Sequence, residues 1–181
     1  MKLWTKVHQR KPSSNYTPQE KLEIDAMISE ITSFAKSSES VWQRDLLPGT
    51  WRVAYLQQGE NGGGLDRRIP FPELPFNDSY QRFSINPSSV TNIGELLGPS
   101  LRVEVSGSLA EDDVGVDTTP KRFRADIARG DLCAGNLCVK LPIEGMGLFD
   151  GVYLGEKIRI GQNLNGSGAL VVQVRVDTTI Q

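Results

Sequence analysis

The sequence predicts a mainly β protein: an antiparallel up-and-down barrel of about eight strands, preceded by one or two α-helices. Three observations carry this. From Gly49 onward the chain is a series of short alternating runs separated by Gly, Pro, Asn and Ser, the pattern of half-buried strands joined by turns. The runs number about eight, which suits closure around either the barrel's own side chains or one small apolar ligand. The last stretch, Tyr153 to Val176, reads as a hairpin, and a hairpin alone is marginally stable and must close onto other strands. A two-sheet sandwich satisfies the same alternation, which does not register closure.

Taken in order, residues 1–16 read as a basic arm ahead of one domain at 17–181. Lys2, Lys6, Arg10 and Lys11 occur there without a single acid, the composition of a transit-segment remainder or a disordered arm. If helical, Leu3, Trp4 and Val7 share a face that suits an anionic membrane surface. Thr17-Pro18-Gln19-Glu20 combines a capping Thr, a Pro at the first helical position and a Glu three residues after the cap. Ile24, Met27, Ile28, Ile31, Phe34 and Ala35 then recur at helical spacing through about Lys36. Ser40 is expected to cap a second short helix carrying Val41, Trp42, Leu46 and Leu47, which Pro48-Gly49 ends.

Strands are expected at 50–57, 80–85, 89–93, 101–109, 121–128 and 131–141, with the final pair at 153–160 and 169–176. In the first, Trp51, Val53 and Tyr55 alternate with Arg52 and Ala54. Residues 59–79 hold GENGGG, Arg67-Arg68 and then Phe71, Leu74 and Phe76 among three prolines. That length belongs to a lid, a binding loop or a disordered segment, and Phe71, Leu74 and Phe76 are the candidates for a lid or membrane-touching tip. The acidic run Glu111 to Asp117 reads as a solvated face.

The final hairpin leaves its orientation open. Val152, Leu154, Ile158 and Ile160 alternate with Tyr153, Lys157 and Arg159, and Leu170, Val172, Val174 and Val176 with Gln173 and Arg175. With the aliphatic rows inward, Tyr153, Arg159, Gln173 and Arg175 face solvent. With those rows outward, against helices, the arginines enter the cavity and meet a carboxylate or quinone oxygen. The first arrangement, or one in which an arginine closes the barrel floor, is the simpler expectation.

Composition narrows the function classes. A net charge of −2 over 181 residues points to no nucleic acid, and no apolar run approaches the roughly 20 residues of a spanning helix. The only histidine is His8, so neither a His triad nor a His metal site is expected in the domain. The scattered carboxylates and two cysteines lack zinc spacing, and Gly62-Gly63-Gly64 lacks the Lys-Ser/Thr of a phosphate loop. No enzyme, metal or cofactor is therefore expected. Two cysteines make no disulfide framework, which suits a reducing or plastid-like compartment. Cys133 and Cys138 have the spacing of opposed hairpin positions, about 4.5–5.5 Å apart, so they form either two free thiols, the simpler expectation, or a switchable redox pair.

Gly49-Thr50-Trp51 resembles the G-x-W that opens the first strand of lipocalins, where the Trp crosses the barrel floor beneath an Arg from the last strands. Arg159 or Arg175 is the candidate partner, in a cation–π contact worth about 0.5–2 kcal/mol. In order, LLPGTWRVAY, SVTNIGEL, RVEVSG, KRFRADI and DGVYLGEKIRIGQNLNGSGALVVQV are similar to the plastid lipid-associated protein family, the plant fibrillins or plastoglobulins, across about residues 20–178. The family's C-terminal signature, Tyr-Leu-Asp-Glu, an apolar-Arg-apolar step, a Gly-containing turn and an apolar strand, reads here as Tyr153-Leu154-Gly155-Glu156, Ile158-Arg159-Ile160, Gly166/Gly168 and Leu170-Val171-Val172. Gly155 departs from it, where relatives carry an acid.

The resemblance implies a lipocalin-like barrel in chloroplasts, peripheral to thylakoids or plastoglobules, that binds or shields an apolar isoprenoid lipid such as a prenylquinone or carotenoid. The candidate cavity or floor residues are Trp51, Val53, Tyr55, Phe83, Phe123, Tyr153, Arg159 and Arg175. Two other readings stay open. In one, Trp51, Tyr55, Phe83 and Phe123 fill the barrel and the protein docks on a thylakoid membrane protein complex. The other is a lipocalin-like chromophore lyase, which needs an acid or nucleophile that the sequence does not single out.

Overall fold

The computed structural model describes residues 2–11, 16–38, 40–57, 78–165 and 168–176. Its strands are β1 (Gly49–Gln57), β2 (Asp78–Ile85), β3 (Ser88–Glu95), β4 (Leu101–Glu111), β5 (Lys121–Ala134), β6 (Leu137–Leu141), β7 (Gly145–Leu154), β8 (Ile158–Asn163) and β9 (Leu170–Val176). All neighbours pair antiparallel, in the order β4-β3-β2-β1-β9-β8-β7-β5-β6, and β4 pairs β5 as well. That last pairing closes eight strands into a barrel. β6 hangs outside the ring on the last residues of β5.

The strand number matches the expectation, but the membership does not. The run 131–141 is a hairpin that turns at Gly135, which has a φ of +58° that favours glycine. The run 153–160 is broken by the β7–β8 turn. β7 escaped the pattern because Gly145, Gly147 and Gly151 dilute its alternation. Gly151 is there for space: a Cβ would lie 2.3 Å from the Trp42 ring.

The expected second helix is a single 3-10 turn, Arg44–Leu46. Residues before it run extended against the loop ahead of β5, with the Trp42 N–H donating to the Asp117 carbonyl and the Thr119 N–H to the Ser40 carbonyl. Backbone groups used in that pairing cannot also close helical turns.

Helix α1 (Lys2–Val7) and helix α2 (Pro18–Ser37) cover the outside of the barrel. Leu3, Val7, Ile24 and Ile28 bury against Ala54, Val152, Ile158, Ile160, Val172 and Val174. The stretch expected as a basic arm is thus a docked helix, whose Leu3-Val7 stripe faces the sheet. Arg52 holds the segment after α1 by donating to the carbonyls of Arg10 at 2.7 Å and His8 at 2.5 Å. A second core lies inside the barrel: Trp42, Leu47, Trp51, Phe83, Val90, Leu109, Phe123 and Ala125, with Ile127, Phe149 and Leu154 against them. Strands β1, β8 and β9 and the second half of β7 therefore bury both faces, one under helices and one in the lumen.

The α2 start is a full capping box: the Thr17 hydroxyl accepts from the Glu20 N–H, and the Glu20 carboxylate accepts from the Thr17 N–H at 2.7 Å. That backbone bond, then the bond from Arg10, holds the Glu20 carboxyl down at about 2. Thr17→Ala is expected to lower stability by about 1 kcal/mol, read by chemical denaturation. The folded Glu20 value lies below the ordinary 4.5, so its stabilisation is whole above pH 4.5 and fades as pH falls towards 2. Glu20→Gln should flatten that stretch of the stability–pH curve.

Candidate functional site in the barrel lumen

The lumen is built in three layers, beginning with a floor at the Gly49 end of β1. The Arg175 guanidinium lies 4.3 Å over the Trp51 ring and donates to the backbone carbonyls of Glu156 at 2.7 Å, Pro48 at 2.8 Å and Leu46. Trp51 Nε1 donates to the Leu47 carbonyl at 2.9 Å. The glycine of G-x-W is required twice: its φ is +121°, and a Cβ would meet Arg175 Nη1 at 2.8 Å. Aromatic rings stack above, with Phe123 5.4 Å from Trp42 and 5.3 Å from Phe149, and Phe83 6.3 Å from Phe149.

At the floor's edge the buried Lys121 ammonium meets Glu111 and Asp113, each at 3.1 Å. Burial alone would lower its pKa, and the two carboxylates raise it instead. The acidic run is thus not wholly solvated: two of its carboxylates neutralise a buried cation.

The middle layer is polar. Gln81 Oε1 accepts from Arg159 Nη1 at 3.2 Å and from Gln173 Nε2 at 3.1 Å, while Gln81 Nε2 donates to Asn92 Oδ1 at 2.7 Å. Arg159 is 2% exposed, and its guanidinium lies 4.4 Å over Phe83 and 5.7 Å from the centre of Phe149. No carboxylate among the described residues pairs with it, and burial pulls its pKa down to about 9. It stays charged at pH 7.

The mouth layer is apolar and half-exposed. Register puts Val53 opposite Gln173, Leu56 opposite Val171, Val103 opposite Gly94, Val105 opposite Asn92 and Gly107 opposite Ile127. These positions share the phase of the polar layer, so they face the lumen; Leu56 with Val171 and Gly94 with Val103 lie beyond Gln173 and Asn92 towards the mouth, while Gly107 and Ile127 border the lower core. Apart from Gln173 they are only partly covered. Two clefts between described residues lie elsewhere. One of about 440 Å³ sits where Phe34 and Val41 meet Tyr153, below the floor, and one of about 270 Å³ lies between Arg129 and Lys140.

Of the residues singled out from the sequence, Trp51, Phe83, Phe123 and Arg175 meet in the floor, Arg159 in the polar layer and Val53 in the mouth wall. Arg159 and Gln173 are inward and buried, not solvent-facing, because the aliphatic rows of β8 and β9 are taken by the helices. Tyr55 and Tyr153 are not in the lumen. A bulge between Val53 and Tyr55, and another between Gly151 and Tyr153, shift each strand's phase by one residue. Both tyrosines join the outer core, Tyr55 donating to Asp25 at 2.9 Å. Burial and this carboxylate push the Tyr55 hydroxyl pKa up. Phe71, Leu74 and Phe76 lie outside the described residues.

Cys133 and Cys138 oppose each other across the β5–β6 hairpin and are joined by a disulfide, in place of two free thiols. Gly155 lies in the β7–β8 turn, where a Cβ would face the Tyr153 hydroxyl at 3.0 Å. Gln81, Asn92 and Phe149 were missed: inward amides interrupt an apolar row, and Phe149 lies in the glycine-diluted strand. The described residues hold no group of three or more His, Cys, Asp or Glu arranged for a metal, and His8 stacks on Trp4 at 4.0 Å.

Removing the floor is expected to be costly. Trp51→Ala should lower stability by about 3–5 kcal/mol through the cavity it leaves. Arg175→Met should lower it by about 2 kcal/mol through the carbonyls left unpaired. Urea denaturation of the two variants and the parent checks both.

With this geometry in place, comparison with known proteins is direct. The model of the PAP_fibrillin family matches residues 2–172. No curated protein and no solved structure matches the chain. The match spans both helices and the barrel through β8 into β9, and the chain belongs to the PAP_fibrillin family, the plastid lipid-associated proteins or fibrillins.

Proposed function

We propose that the protein is a non-enzymatic plastid protein that binds or shields an apolar isoprenoid lipid, a prenylquinone or carotenoid, at thylakoid or plastoglobule surfaces. The carrying observation is the mouth half of the barrel, an apolar inner wall from Val53 to Val171 that is only half-covered above a solid floor. An apolar wall left partly open to water is unfavourable until something apolar covers it. The mouth rim supports the same reading. Leu97, in the β3–β4 turn, and Leu137 and Val139, on β6, are large exposed apolar residues at that end. A barrel resting mouth-down on a lipid surface buries these tips and takes up a lipid without carrying it through water.

One observation favours a second reading, a docking subunit on a thylakoid membrane complex without ligand. Trp51, Phe83, Phe123 and Phe149 fill the lower lumen, leaving only the upper half for a guest. A chromophore lyase gains no support, because the acids at the lumen floor among the described residues, Glu111 and Asp113, are taken by Lys121.

Native mass spectrometry with organic extraction, on protein purified from its own plastid, separates the readings. A stoichiometric apolar lipid is expected, and Val105→Trp, which fills the mouth, should lose it while keeping the parent's circular dichroism. An empty barrel that co-purifies with a membrane complex would overturn the lipid reading in favour of docking.

A further inference from the structure

The polar layer under the mouth wall has more donors than it can place. A guanidinium brings five N–H groups and each amide two, while the three amides Gln81, Asn92 and Gln173 offer three oxygens. Two of those oxygens are already engaged. Among the described residues Arg159 makes one hydrogen bond, from Nη1, and its buried Nε has no acceptor. A buried charge without a partner is costly unless something compensates it. Phe83 and Phe149 compensate the guanidinium face only; among the described residues the Nε–Nη2 edge stays unserved. That edge is the fork that matches both oxygens of a carboxylate. Gly161 adds no side chain beside it: a Cβ there would stand 3.2 Å from Nη2, in close contact.

The layers above and below fix the guest's shape. Aromatic rings block the floor, so a molecule reaching Arg159 enters from the mouth with its polar end first and leaves its remainder against Val53, Val103, Val105 and Val171. We propose that Arg159 is the head-group subsite of the barrel, taking the carboxylate of a long-chain apolar acid on its Nε–Nη2 edge with the chain along the mouth wall. This rests on the reading that the barrel binds an apolar lipid, and departs from the neutral prenylquinone or carotenoid in giving the preferred ligand an acidic head. Charge decides for a carboxylate over a neutral oxygen: Arg159 is a buried cation that no carboxylate among the described residues pairs with, whereas Lys121 at the floor has Glu111 and Asp113.

The test is a fluorescence titration of the purified full chain with cis-parinaric acid and, separately, its methyl ester, which share one chain and differ in head charge. The acid is expected to bind about 10- to 100-fold more tightly, the range for a hydrogen-bonded charge. Arg159→Met should bring the acid down to the ester's affinity and leave the ester unchanged. Arg159→Lys, which keeps the charge and loses the fork, should fall between. Gly161→Ala, which crowds Nη2 and keeps the arginine, should weaken the acid alone and carries the test should Arg159→Met not fold. Equal binding of acid and ester by the parent, or a preference that survives in Arg159→Met, overturns the subsite and leaves lipid binding standing. Binding of neither probe overturns both.

Discussion

The stack of Arg175 on Trp51 is the contact from which the rest of the lumen is laid out. It joins the last strand to the first, and its donors reach the carbonyls of Leu46, Pro48 and Glu156. One side chain thus ties β9, the 3-10 turn, the start of β1 and the β7–β8 turn into a closed floor. A guanidinium is suited to this, since its rigid fork serves several carbonyls while its face lies on an indole. With the floor shut, the aromatic rings above it pack without water, and the polar layer above them can be reached only from the mouth.

The second constraint is that β1, β8, β9 and the second half of β7 have no solvent face. On β8, Ile158 and Ile160 meet the helices while Arg159 between them enters the lumen; on β9, Val172 and Val174 bracket Gln173 in the same way. The aliphatic row is the outer core and the polar row the inner one, the reverse of a barrel whose outside is wet. This inversion makes a buried arginine possible. Helices bury enough apolar surface on the outside for the inner face to keep polar side chains.

Much of the architecture was legible in the sequence because its signals are local. The capping box at Thr17 and the 3.6-residue spacing of Ile24, Ile28 and Ile31 specify α2, and the strand alternation from Gly49 specifies the β class. Gly49-Thr50-Trp51 identified the floor, though not which of two arginines covers it. What escaped has a physical cause in each case. Alternation tells one strand face from the other but not which is inside, and when helices cover the outside both faces are apolar enough to be buried. The bulges at Ala54 and Val152 move Tyr55 and Tyr153 across the sheet without altering the composition of the run. A turn at Gly155 looks like a continuing strand because Ile158 and Ile160 resume in phase, and the interior amides carry no apolar signal at all.

The outer core has a further consequence for how such a chain is made. β1 pairs β9 so that Thr50 faces Val176, and the helices ahead of β1 bury against β8 and β9. The N-terminal third therefore finds its partners in strands that are synthesised only after the whole middle of the sheet. Loop closure on that scale is among the slow steps of folding, and until it happens Trp51, Ile24 and Ile28 stand in water. The middle strands, β2 to β5, are joined by short turns and pair with sequence neighbours, so they form the part of the sheet that can wait for its two ends.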